Sequence, residues 1–212
     1  KIHLSNGVFI KENTNIKKFL KTKNNSIRIL TNKNEELLAD FMIAGIGAQP
    51  NTEIADNAGL LVDNGIVVDE NCRTSDPNIF AAGDCVSFPF NKDLIRLENV
   101  GNAIEQSEAA SENVLGKDIK YQPVPWFWSD QFDIKLQIAG LNKGFTKVFH
   151  RQSDQKNSFW YYKDDQLISV EAINDPKSYM VGKKLIEMKK TPSPKDIVSN
   201  KINLKDMLRE IK

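Results

Sequence analysis

The best-placed chemistry in this chain is a glycine and an aspartate side by side at the end of a short apolar run. Residues 79–82, IFAA, lead into Gly83-Asp84, and a longer apolar run, FMIAGI at 41–46, closes on Gly45-Ile46-Gly47. Both runs read as buried strands that stop at glycine. In an open α/β sheet, ligands sit just beyond the carboxyl ends of strands. There glycine lets a backbone come close and a carboxylate can accept from hydroxyl groups. Gly83 and Asp84 suit that place and are candidate ligand contacts. The competing reading is an aspartate that caps a turn or helix.

Other chemistry is sparse. Gly45-Ile46-Gly47 begins like a dinucleotide fingerprint, but Pro50 stands where its third glycine is needed, and none of the 11 glycines forms a GxGxxG. That motif is what lets a helix N-terminus hold a pyrophosphate. Cys72 and Cys85 form no CxxC, and His3 and His150 lie far apart in sequence. Cys85, beside Asp84, invites a redox role, yet a lone cysteine at an apolar strand end is more often inert packing. No Ser/His/Asp set, metal-ligand cluster or paired acids stand out, so no acid–base residue is assigned.

The elements that must position these residues follow from the pattern. Residues 1–40 read as short strands and turns, with Asn32-Lys33-Asn34 as a turn. Pro50-Asn51-Thr52 opens a helix that Gly59 stops, and Asn64-Gly65 between two apolar triplets signals a hairpin. Residues 86–93 read as an irregular loop. From Asn99 to Leu115, Val100, Ala103, Ile104, Ala110, Val114 and Leu115 suggest a helix with an apolar buried face, closed by Gly116. Pro123 and Pro125 mark a boundary at 117–125. Beyond it, 135–139, 147–150, 158–162 and 166–172 read as antiparallel strands, with Asp164-Asp165 turning the last two. Helices are expected from Pro176 to Lys189 and over 204–211.

A chain of 212 residues can bury one large or two modest cores. Its 40% hydrophobic and 27% charged content is that of a soluble globular protein, and a net charge of +1 argues against nucleic acid as partner. Two cysteines suggest a reducing compartment. Apolar runs fall well short of the roughly 18 residues of a membrane span, and the first residues lack a signal-peptide core. A cytoplasmic protein is expected.

The order of these features carries a resemblance. A strand, GIGAQPN, a helix ending in Gly59, GIVVDENCRTSDPNIFAAGD and then RLENVGNAIEQ resemble the second half of flavin-dependent pyridine-nucleotide oxidoreductases. VPWFWSDQFDIKLQIAGL at 124–141 is similar to the ferredoxin, rubredoxin and putidaredoxin reductase branch. The resemblance implies an α/β fold. Residues 1–40 would be the tail of a nicotinamide domain, 41–118 the second segment of an FAD domain, and 119–212 a carboxyl-terminal α+β domain with an antiparallel sheet. It implies an FAD enzyme that takes hydride from NAD(P)H and passes single electrons to an iron–sulfur carrier such as ferredoxin or rubredoxin. A homodimer stays open. Lacking both nucleotide fingerprints, the chain would match only the carboxyl-terminal half of such an enzyme and be inactive alone.

The resemblance also implies roles. The acid of the Gly83-Asp84 pair would hydrogen-bond the ribityl hydroxyls of FAD. Val100 would sit at a helix N-terminus whose dipole favours negative charge on the reduced flavin ring. Val100 reads equally as the first core residue of that helix. Trp126 and Trp128 would place an indole by the flavin near the docking face, or serve as aromatics at a domain interface. Disulfide reductases of the superfamily carry a terminal His–Glu relay that this chain lacks, which disfavours thiol exchange. Two alternatives differ in class. One is another single-flavin oxidoreductase, such as a nitrite-reductase flavin subunit or an apoptosis-inducing-factor-like oxidase. The other is a cofactor-free binding or dimerisation module.

Overall fold

The computed structural model describes residues 2–199 and 203–210. The chain divides into two units, one ending at Ala48 and one beginning at Gln49.

The first unit holds a single helical turn, α1 (Ile2–Ser5), and three strands, β1 (Ile16–Lys21), β2 (Ile27–Thr31) and β3 (Glu36–Ala39). They form an antiparallel meander in the order β1-β2-β3. Asn34 adopts a left-handed φ of 59° in the β2–β3 turn, as the Asn-Lys-Asn signal anticipates. The run at 41–46 departs from expectation. It forms no strand, and Phe41, Ile43 and Ile46 are 74%, 84% and 94% exposed. A strand exists only where neighbours take up its N–H and C=O groups, and none of the described strands runs beside this one.

The second unit opens with α2 (Glu53–Asn57), which Gly59 ends at a φ of 74°, and the two-residue strand β4 (Ile66–Val67). The Asn64-Gly65 turn forms, but the hairpin shrinks to one bridge, Val62 to Ile66. Ile66 and Val67 pair instead with β5 (Val86–Phe90) in parallel. The 86–93 segment is therefore not an irregular loop. It holds β5 and turns at Asn91 into β6 (Asp93–Arg96), which pairs with β5 antiparallel. Pro89 hides the strand in the sequence, since proline donates nothing to a ladder. It is tolerated because β4 pairs only with Val86 and Ser87. Residues 79–82 likewise form no strand; a single bridge joins Phe80 to Arg73.

Helix α3 (Val100–Val114) follows, with Asn99 as N-cap accepting from the Asn102 N–H at 2.8 Å. Its buried face is not the apolar one. Val100, Ile104, Val114 and Leu115 are exposed, whereas Gly101, Asn102, Gln106, Ala109, Ala110 and Asn113 are buried. Each buried amide meets a specific polar group. Asn113 bonds Asn71 O and the Ile119 backbone, and Asn102 donates to Leu97 O while accepting from the Tyr121 hydroxyl. Small alanines between these amides let α3 approach the core of Val68, Cys72, Val86, Phe88 and Tyr121.

After the proline-rich 117–125 stretch comes a five-stranded antiparallel sheet. It contains β7 (Trp126–Gln131), β8 (Ile134–Gly140), β9 (Lys147–Ser153), β10 (Lys156–Lys163) and β11 (Gln166–Ile173), ordered β7-β8-β11-β10-β9. Four strands match the expectation, and the tryptophan pair supplies the fifth. Asp164 and Asp165 both have positive φ, 48° and 63°, as a tight hairpin requires. Helices α4 (Pro176–Glu187), α5 (Pro194–Ser199) and α6 (Leu204–Glu210) cover one face of the sheet. Trp160, Tyr162, Val170, Leu185 and Ile197 form its core. The expected end of the last helix at Ile211 lies outside the described residues.

Candidate functional site

The candidate residues converge on the N-terminal half of α3. Gly83 begins a tight turn, with the Val86 N–H donating to Gly83 O at 3.0 Å and Gly83 at a φ of 93°. Three bonds fix the main chain around Asp84. Besides the turn itself, the Gly83 N–H donates to Gln106 Oε1 at 2.8 Å, and the half-buried Arg96 guanidinium donates to Asp84 O at 3.0 Å. Arg96 also pairs with Glu98. The Asp84 carboxylate is left exposed and without a partner among the described residues. A fixed backbone under a free carboxylate suits a ligand acceptor better than a structural cap.

Val100 stands on the first turn of α3 and is 56% exposed, so it is not the core residue that periodicity alone suggests. No hydrogen bond among the described residues uses the Val100 or Gly101 N–H. Both point with the positive end of the helix dipole.

Trp126 packs on the same turn. A Cβ built on Gly101 would lie 2.5 Å from Trp126 Nε1, so only glycine admits the indole there. Trp128 stacks on Trp126, with ring centroids 5.5 Å apart and planes at 24°, and Lys183 lies 5.2 Å over the Trp126 ring. Trp126 is half-buried and Trp128 exposed, so neither is a core aromatic. Gly83, Asp84, Val100, Trp126 and Trp128 are thus all tied to α3 or to one another.

Two buried amide nitrogens, Asn99 Nδ2 and Gln106 Nε2, have no partner among the described residues. Each flanks the free N-terminus of α3 or the Asp84 turn. Burial raises the Tyr121 pKa and keeps its phenol a neutral donor to Asn102. Burial, with a smaller contribution from Asp69, pushes the Cys72 thiol up to about 11, so Cys72 is inert. Both cysteines are free thiols. Among the described residues no cluster of His, Cys, Asp and Glu could hold a metal, and no helix is long and apolar enough to cross a membrane.

The sequence reading missed Gly101, Gln106 and Arg96. The signal for Gln106 was its spacing with Asn102, Ala109 and Asn113, a helical face of amides and small residues.

The family model for pyridine nucleotide-disulphide oxidoreductases matches residues 1–112, and the model for the reductase C-terminal domain matches residues 126–208. The chain belongs to the pyridine nucleotide-disulphide oxidoreductase family. Within it, the chain falls in the ferredoxin, rubredoxin and putidaredoxin reductase branch. It is 36% identical to rhodocoxin reductase of Rhodococcus erythropolis over 96% of its own length and 48% of that protein's. It is 35% identical to putidaredoxin reductase of Pseudomonas putida, over 100% of this chain and 51% of the relative. A crystal structure of the covalent putidaredoxin reductase–putidaredoxin complex superposes with a TM-score of 0.93 at 34% identity, covering 99% of this chain and 52% of that one. The chain therefore spans about half the length of the relatives it matches, and its α/β fold with an antiparallel C-terminal sheet is theirs.

Proposed function

We propose that this chain supplies one side of the flavin site of an NAD(P)H:ferredoxin-type oxidoreductase. The observation that carries the reading is the convergence of the free Asp84 carboxylate, the unbonded Val100 and Gly101 amides and the Trp126–Trp128 pair at one end of α3. FAD fits this set of groups: a polyol chain needs acceptors, and an electron-rich ring needs donors and positive potential. When bound, FAD accepts a hydride from NAD(P)H and releases electrons singly. The protein's own share is positioning and electrostatics. Asp84 would accept from the ribityl hydroxyls, and the α3 N-terminus would favour negative charge on the ring. One indole would shield the flavin edge on the side that faces an iron–sulfur carrier of ferredoxin or rubredoxin type. Support for that carrier comes from the relatives, two of which are named for redoxin partners. On this reading 1–40 belongs to the nicotinamide domain, 41–118 to the FAD domain and 119–212 to the C-terminal domain. The two free thiols agree with a cytoplasmic location.

The test is an FAD titration of the purified chain followed by visible absorption. Flavin bands that survive gel filtration, and are lost in Asp84→Ala with folding intact, support the site. Equal retention by wild type and Asp84→Ala removes Asp84 from it.

A further inference from the structure

The amide of Gln106 is fully buried, and its two ends behave differently. Oε1 accepts the Gly83 N–H at 2.8 Å, while Nε2 has no partner among the described residues. A side chain kept only to fill space would be better served by leucine or methionine, which strand no donor. The acceptor is therefore what this position requires. Its partner is equally constrained: Gly83 is buried, and of its two main-chain groups the carbonyl is already committed to the Asp84 turn through Val86. The Gln106 backbone is also held, since Cys72 Sγ lies 3.8 Å from its carbonyl oxygen.

We propose that Gln106 is a positioning residue that locks the Gly83-Asp84 turn to α3, so that the Asp84 carboxylate and the free Val100 amide behave as one rigid binding element. Gln106 lies between one and two turns beyond Val100 on the same helix, and its side chain is the direct bond between that helix and the residue before Asp84. The role in binding rests on the FAD reading above; the lock itself does not.

Two measurements on the full chain separate these. The first is amide hydrogen exchange without cofactor. Gln106→Met should speed exchange at Gly83 by at least about tenfold, while amides of β10 stay unchanged. Gln106→Glu should restore slow exchange, because either protonation state of the carboxyl keeps an acceptor oxygen. Unchanged exchange at Gly83 in Gln106→Met, or exchange that rises equally at Gly83 and β10, overturns the lock. The second is FAD affinity in a double-mutant cycle with Asp84→Ala. If the lock acts through Asp84, Gln106→Met weakens FAD binding by about tenfold in the wild-type background and adds little in the Asp84→Ala background. Full additivity overturns the positioning role. A wild-type chain that takes up no FAD refutes the flavin reading for this chain and leaves the exchange result to decide the lock.

Discussion

Two runs in this molecule meet fates opposite to what their composition suggests. FMIAGI at 41–46 stands exposed and unpaired, whereas β10 is paired on both edges and buries Trp160 completely. Hydropathy ranks them the wrong way round, since FMIAGI has no polar side chain while β10 reads KNSFWYYK. Partnership does: β10 lies between β9 and β11 and beneath α4 and α5, so its backbone groups and its inward side chains are both satisfied. Apolar character licenses burial, but neighbouring strands and a covering layer deliver it.

The contrast can be broken by mutation. Trp160→Ala should cost about 3–5 kcal/mol in urea unfolding, the usual toll for emptying a buried indole site. Alkali offers a second approach. The Cys72 thiol titrates near 11 in the folded state against an ordinary value of 9.0, so folding favours the protonated form. That stabilisation is whole below pH 9 and fades as pH rises from 9 towards 11, because the unfolded thiol ionises first. A urea midpoint that falls over this window in the wild type, and less in Cys72→Ala, checks it. Gly101→Ala should cost about 1–3 kcal/mol through overpacking against Trp126, with loss of the indole stack in near-ultraviolet circular dichroism. Asp175 caps α4 by accepting from the Ser178 N–H at 3.1 Å, so Asp175→Ala should cost about 1 kcal/mol. Ile43→Asp should change stability by less than about 0.5 kcal/mol, since an 84% exposed side chain has little to lose. A large effect there would mean that 41–46 is packed in solution.

Legibility in the sequence followed the same divide. The C-terminal sheet could be read because alternation, the Asp164-Asp165 turn and the Pro176 helix start are local signals. The apolar runs at 41–46 and 79–82 form no strand despite their pattern, because pairing is a property of neighbours. β5 is hidden by Pro89, and β7 by its tryptophans, a residue type that suggests a site before it suggests a strand. At the candidate site, Gly83 and Asp84 announced themselves by type and place. Gln106 did not, because its value lies in a bond to a residue 23 positions away. The face of α3 was inverted for a related reason: three buried amides replaced the apolar stripe that periodicity looks for, each matched to a backbone or hydroxyl group that only the fold brings near.

The stacked pair at the start of α3 gives the molecule an optical reporter of its own. Of three indoles, one is sealed in the C-terminal core, and two are coupled at 5.5 Å against Gly101 in the first turn of α3. Emission from the sealed indole tracks global unfolding, while the coupled pair senses whatever settles on that turn. A chromophore absorbing at longer wavelength would drain the pair's excited state first. Fluorescence lifetimes could then follow occupancy and folding separately in one unlabelled sample.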